Sequence, residues 1–316
     1  MRLGIDLGGT KTEIIAIDRE GRELFRTRLA TPRGDYAATI DTIRTLVHSA
    51  EAALGARGAS VGVGIPGIES PATGLVKNAN STWLLGHRLS ADLEAALARP
   101  VRLANDANCF AMSEAADGAA AGAASVFGVI LGTGVGGGIV IGGRLVQGVN
   151  AIAGEWGHNA LPWAEDDERP GPRCYCGRSG CIESFLSGPA LAGQFGHDTG
   201  LSWTAEMIVA AAGAGDARAD AAMRRYEHRL GRALASVINV LDPDVIVLGG
   251  GLSNVERLYA SVPGIWGQWV FSDQVATKLM KNRHGDSSGV RGAAGLWPAE
   301  RYDEATGASH RNDRNP

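Results

Sequence analysis

The chain makes the same opening twice, and that repetition limits its folds more than any other feature. Leu3, Ile5 and Leu7 alternate toward one face, Gly8-Gly9-Thr10 turns the backbone, and Ile14, Ile15 and Ile17 return as a second strand. Far downstream, Val126 to Leu131 forms a strand, Gly132 to Gly138 a glycine turn, and Ile139 to Ile141 the return. Each half therefore begins strand, threonine-containing glycine turn, strand. Direct identity between the halves is slight, so the repeat lies in architecture rather than in letters.

Between and after these openings the pattern alternates helix with strand. Ile40, Ile43, Val47, Ala50 and Leu54 recur at helical spacing. Val61 to Ile65 reads as a buried strand ended by Pro66-Gly67, and Val101 to Leu103 as another, stopping at Asn105-Asp106. A helix follows over Ala107 to Ala116, capped by Asn105 or Asp106. Ala221 to Leu241 is a long helix closed by Asp242-Pro243, and Val245 to Leu248 is a buried strand running into Gly249-Gly250-Gly251. The small-residue run Ala119 to Ala124 is the expected lobe boundary. This places a smaller lobe at 1–118 with a return near 295–302, a larger lobe at 119–294, and a polar, disordered tail at 303–316.

A chain of 316 residues is comfortable as two lobes. Its net charge of -4 argues against nucleic acid or an anionic membrane as partner. No apolar run approaches the roughly 18 residues that a bilayer span needs. The N-terminus meets Asp6 and its glycines too early to read as a signal peptide. Clustered cysteines without an export signal favour reduced thiols, so the expected location is the cytoplasm.

The glycine turns suit an anion. Bare backbone lets amide N–H groups approach a phosphate, Thr10 adds a hydroxyl, and Asp6 is placed to hold Mg²⁺ directly or through water. Gly132-Thr133-Gly134 repeats the device without the acid, and Gly249-Gly250-Gly251 offers a nucleotide base or ribose close access to backbone. Two formal dinucleotide patterns, at Gly62-Gly64-Gly67 and Gly132-Gly134-Gly137, do not open helices and are set aside. Asp106, at a strand end and helix start, is the candidate general base; a plain N-cap is the alternative. Asn78 to Trp83, with Asn80 and Ser81, is rich in hydrogen-bonding groups of the kind a polyol needs, and equally reads as a simple turn.

Three of the four cysteines, Cys174, Cys176 and Cys181, fall within eight residues, with His158 upstream and Gly177 and Gly180 between them. Three thiolates and an imidazole fit a four-coordinate zinc with no open position, hence a structural one. Glu155 and Glu183 each stand close in sequence to a proposed ligand, so the metal would fix their positions along with the exposed edge of His158.

These residues together resemble the ROK family of bacterial sugar kinases, within the actin-like ATPase superfamily. The resemblance runs from Asp6 to Thr10 through Gly64-Ile65-Pro66-Gly67, Asn105-Asp106, Gly132-Thr133-Gly134 and Glu155-Trp156-Gly157-His158. It continues through Cys174 to Glu183, Leu248 to Gly251 and His284 to Asp286. It implies an α/β, two-lobe, duplicated ribonuclease H-like fold with an interlobe cleft, and ATP with Mg²⁺ as cofactors. It further implies Asp106 as base, sugar contacts from Gly67, Asn80, Asn105, Glu155, His158 and Glu183, and zinc on His158, Cys174, Cys176 and Cys181. Asp6, Gly8, Gly9, Thr10, Lys11, Gly132, Thr133, Gly134, Gly249, Gly250 and Gly251 are the nucleotide set. A homodimer is expected. Asp6 to Glu13, Lys77 to Trp83 and Asn159 to Trp163 look most like the fructokinases, or manno(fructo)kinases, implying D-fructose phosphorylated at O6. N-acetylglucosamine kinase and glucokinase are the alternatives within the family. A sugar sensor or repressor is the alternative outside catalysis, but a glycine turn at Gly8 leaves no room for a preceding DNA-binding domain.

Overall fold

The computed structural model describes residues 1–298 and, beyond them, the antiparallel pairing of Tyr302–Asp303 with Ala308–Ser309. Apart from that pairing, the expected tail at 303–316 lies outside the described residues. The chain divides into two compact units, Met1–Cys109 with Gly289 onward, and Phe110–Ser288.

The first unit is built on strands β1 (Arg2–Leu7), β2 (Lys11–Ile17) and β3 (Glu23–Ala30), then helix α1 (Tyr36–Leu54) and strand β4 (Ser60–Ile65). A small hairpin, β5 (Ile68–Glu69) with β6 (Val76–Lys77), precedes α2 (Leu89–Leu97), β7 (Val101–Asn105) and α3 (Asp106–Ala116). The sheet order is β3-β2-β1-β4-β7, antiparallel through the meander and parallel from β1 to β7. Helix α1 starts where the Asp35 side chain accepts from Ala38 N–H and stops at Gly55, whose φ of 60° is left-handed. Its Ile43, Leu46, Val47 and Ala50 stripe is buried in one core with Leu3, Ile5, Ile14, Val61 and Val63. Each large aliphatic side chain so buried contributes about 1.5–3 kcal/mol.

The second unit repeats the plan. Its strands are β8 (Ser125–Leu131), β9 (Val135–Ile141), β10 (Arg144–Leu145), β11 (Val245–Gly249) and β12 (Lys278–Lys281). The order β10-β9-β8-β11-β12 has the same directions as the first sheet. Between β10 and β11 lie α4 (Glu183–Leu186), α5 (Gly188–Thr199), α6 (Ala205–Gly213) and α7 (Ala217–Leu241); α8 (Arg257–Trp266) follows β11. Met223, Tyr226, Leu230, Leu234 and Ile238 repeat every three or four residues along α7 and join Phe127, Val129, Leu131, Ile246 and Leu248 in one core.

The last helix, α9 (Ser288–Gly295), belongs almost wholly to the first unit. A Cβ on Gly4 would stand 2.1 Å from the Val290 carbonyl oxygen, and one on Gly62 would stand 1.9 Å from that of Ala293. Backbone thus packs on backbone, which only glycine permits.

The unit division falls inside α3 and at the head of α9, not at residues 118 and 295. The reason is local. Ala119 N–H donates to the Glu114 carboxylate and Ala120 N–H to the Glu114 carbonyl, so the small-residue run is tied to the end of α3 rather than loose. Among the described residues, no helix is long and apolar enough to cross a membrane.

Candidate active site and metal centre

In the first unit, the expected residues gather at the carboxyl ends of the parallel strands. Asp6 lies opposite Gly64 on β4, and Ile65 opposite Asn105 on β7. The strand ends therefore place Asp6 to Gly8, Pro66-Gly67 and Asn105-Asp106 along one edge, where ligands of open α/β sheets bind. The loop carrying Asn80 lies against this edge: Asn80 N–H donates to the Pro66 carbonyl at 3.1 Å. A Cβ on Gly67 would meet that of Ala79 at 2.7 Å, so only glycine lets the loop come so close.

Asp106 opens α3 and is exposed, whereas Asp6 is partly buried. Ala107 N–H is shared by the side chains of Asn105 and Asp106, at 2.9 and 2.8 Å. Desolvation pushes the Asp6 carboxyl up to about 6; the charges of Asp106 and Glu13 add to this and Lys11 opposes it. A carboxylate held at this cost is suited to a cation.

The Gly8–Lys11 turn is closed by Gly8 N–H on the Lys11 carbonyl at 3.0 Å. Its two glycines differ. A Cβ on Gly8 would stand 2.8 Å from the Lys11 oxygen, so packing forbids a side chain there. A Cβ on Gly9 would meet nothing nearer than Ser81 Oγ at 3.8 Å, so packing does not explain that glycine. The open face of the turn is where a ligand would come against backbone.

The second unit holds the remaining residues. Gly132 N–H bonds the Gly134 carbonyl at 3.0 Å, and the Gly132 carbonyl accepts from Gly188 N–H, at the head of α5, at 2.8 Å. Glu183 accepts from Val135 N–H at 2.9 Å, so one of its oxygens is engaged by the turn. At the end of β11, Gly250 has φ 79°, and a Cβ on it would meet the Leu131 carbonyl oxygen at 2.5 Å; a Cβ on Gly251 would meet nothing within 4 Å.

The four expected metal ligands come together. The donor atoms of His158, Cys174, Cys176 and Cys181 all lie within 4.8 Å of one another. Cys176 and Cys181 sulfurs are 3.6 Å apart, as are the Cys174 sulfur and His158 Nδ1. A tetrahedron with zinc–sulfur bonds of about 2.3 Å has edges of about 3.7 Å, so the donor set fits zinc. None of the cysteines is in a disulfide. The backbone N–H of Arg178 lowers the Cys176 thiol, while burial pushes Cys181 up to about 12.

Local sequence explains the convergence. Trp156 Nε1 donates to the Gly136 carbonyl at 3.0 Å and its ring meets Phe127 edge-on. A Cβ on Gly157 would stand 2.1 Å from the Val135 oxygen, so the turn bearing His158 is pressed onto β9. Leu161 N–H bonds the Gly180 carbonyl and Ile182 N–H that of Asn159, which brings Cys181 back beside His158. The intervening loop is pinned by Glu168, which accepts from Arg229 and Arg232 of α7 at 2.7 and 2.8 Å in the interior.

One contact has no counterpart in the sequence reading. His158 Nε2, the edge expected to meet a ligand, lies 2.9 Å from the Tyr175 hydroxyl. The signal available was an aromatic set between two ligand cysteines, which spacing alone does not aim at the histidine.

The sequence profile described as the ROK family matches residues 2–300. The chain belongs to the ROK family. Among its ROK relatives, an N-acetyl-D-glucosamine kinase of Photobacterium profundum is 42% identical over 300 residues, covering 94% of this chain and 99% of that one. The structure of a ROK hexokinase from Thermus thermophilus superposes with a TM-score of 0.84 at 31% identity, covering 93% and 97%. That of a ROK family glucokinase from Streptomyces griseus, in complex with glucose and AMPPNP, gives 0.74 at 30%, covering 93% and 98%. The actin-like ATPase fold expected from the sequence is thereby established. The fructokinase expectation gains no support here: the curated relative is named for N-acetylglucosamine.

Proposed function

We propose that this ROK protein is an ATP-dependent sugar kinase whose preferred acceptor is N-acetyl-D-glucosamine. The observation that carries the reading is 42% identity, over nearly the whole chain, to a kinase of that name. An exposed carboxylate at the head of α3, Asp106, supports it chemically.

In this reading Asp106 accepts the proton of the attacking sugar hydroxyl. That oxygen bonds to the γ-phosphorus as the bond from phosphorus to the β–γ bridging oxygen breaks, and ADP leaves with the electron pair. The N–H groups of the glycine turns would carry charge on the phosphates. Magnesium, on Asp6 directly or through water, would supply charge neutralisation. Zinc on His158, Cys174, Cys176 and Cys181 would supply rigidity alone, since protein fills all four positions. Gly67, Asn80, Asn105, Glu155, His158 and Glu183 are the sugar contacts of this reading, and a homodimer is its assembly. Glucose is the second acceptor, on the 30% identical glucokinase holding glucose and AMPPNP.

The test is kcat/KM with Mg²⁺-ATP across N-acetylglucosamine, glucose, mannose and fructose. The reading expects N-acetylglucosamine to rank first. Fructose first would restore the fructokinase reading, and no ADP release with any sugar would remove the kinase.

A further inference from the structure

Three successive peptide groups of the first glycine turn are held by their oxygens from one segment, Thr31 to Arg33. The Gly8 carbonyl accepts from Thr31 Oγ1 at 2.8 Å, the Gly9 carbonyl from Arg33 Nε at 2.7 Å, and the Thr10 carbonyl from Thr31 N–H at 3.0 Å. Thr31 is buried, and its hydroxyl also lies 2.9 Å from that of buried Thr12. A hydroxyl has one hydrogen. Thr31 gives its own to Gly8, so Thr12 donates to Thr31, which fixes the Thr31 rotamer.

A trans peptide points its N–H opposite to its C=O. Holding the oxygens of Gly8 and Gly9 therefore aims the N–H groups of Gly9 and Thr10 the other way. Among the described residues, neither N–H has a hydrogen-bond partner. Arg33 adds charge to this geometry. It is exposed, has no ion-pair partner among the described residues, and its one recorded contact is the Gly9 oxygen. A charge-assisted bond to that oxygen polarises the same peptide, making the Thr10 N–H a stronger donor.

We propose that Thr31 and Arg33 are positioning residues for anion binding: they hold and polarise the first turn so that its amides meet the polyphosphate of a nucleoside triphosphate. The assignment rests on the kinase reading of that turn, but names residues that the reading does not include. Arg33 acts through the peptide and not as a contact to phosphate. It explains why an exposed arginine is committed to a backbone oxygen.

The experiment compares affinities for Mg²⁺-AMPPNP and adenosine by calorimetry, without sugar, in the wild type, Arg33→Ala and Arg33→Lys. Losing one charge-assisted hydrogen bond behind the turn should weaken Mg²⁺-AMPPNP by about tenfold in Arg33→Ala. Adenosine affinity and melting temperature should not move, because the missing contact touches neither the base nor the core. Arg33→Lys should recover most of the loss, since an ammonium still donates to the Gly9 oxygen. If the wild type prefers Mg²⁺-AMPPNP to adenosine and Arg33→Ala keeps that preference in full, the assignment is overturned while the kinase reading stands. If the wild type shows no such preference, the phosphate reading of the turn fails, and this inference with it.

Discussion

The two glycine turns are the same backbone device with different supports. Each follows the strand that pairs in parallel with the next β-strand of its sheet, and each returns antiparallel. The first is backed by the segment that directly follows β3, Thr31 to Arg33, and carries Asp6 two residues before its first glycine. The second has Ile130 at that place, and its backing comes from helix starts: Gly188 N–H on the Gly132 oxygen and Glu183 on Val135 N–H. Glu183 follows Cys181 by two residues. The second turn is thus tied to the segment that carries the clustered cysteines, whereas the first is tied to Thr31 and Arg33. The two copies share one geometry and differ in the neighbours that hold it.

The largest expected effect separates the copies by chemistry. Asp106→Asn should lower kcat by about 10²–10⁴-fold, the usual worth of a positioned base, while sugar affinity stays within about twofold. Near-normal turnover would remove Asp106 as the base and leave the first unit without its chemical role.

The second effect separates them by mechanics. Cys176→Ser should lose the metal and lower the melting temperature by roughly 5–10 °C. Hydrogen exchange should then quicken at Gly132 and Val135, whose amides are bonded within the second turn and to Glu183, but not at Gly8, whose amide is bonded within the first. Equal quickening at both turns, or full zinc content in the variant, would break the distinction.

The third concerns the acid that only the first turn has. The Asp6 carboxyl titrates near 6 in the fold against an ordinary 3.8. The folded state therefore holds an extra proton between these values, and stability falls as pH rises through that window. Above it, the ionised acid costs up to about 3 kcal/mol. Without Mg²⁺, Asp6→Asn should raise the melting temperature at pH 7.5 and give little gain at pH 4. A gain that does not depend on pH would contradict the assignment.

The smallest tests the glycines themselves. Gly8→Ala should destabilise the fold, since its Cβ would press on the Lys11 oxygen. Gly9→Ala should keep the wild-type melting temperature yet raise KM for ATP by about tenfold, because its Cβ enters only the ligand's side of the turn. Unchanged KM would mean that no phosphate approaches Gly9.

Much of this was legible from local pattern. The paired openings, the strand ends at Asp6, Gly67 and Asn105, and the convergence of His158 with Cys174, Cys176 and Cys181 all rest on spacing, alternation and residue type, which survive in a single sequence. The lobe boundary did not follow from composition, because Ala119 to Ala124 looks like a linker until Glu114 is seen to tie it to α3. The roles of Thr31, Arg33 and Tyr175 depend on contacts between segments that sequence does not pair. An exposed arginine carries no mark of the carbonyl it will meet. The acceptor sugar was the least legible feature, since loops that resemble the fructokinases stand in a chain whose overall identity runs to an N-acetylglucosamine kinase.

The most direct measurement is phosphorus NMR of the wild-type protein with Mg²⁺-ATP and N-acetylglucosamine. The account expects a new phosphate monoester to appear in step with ADP, one for one. Intact ATP, or inorganic phosphate as the sole new phosphorus signal beside ADP, would contradict it.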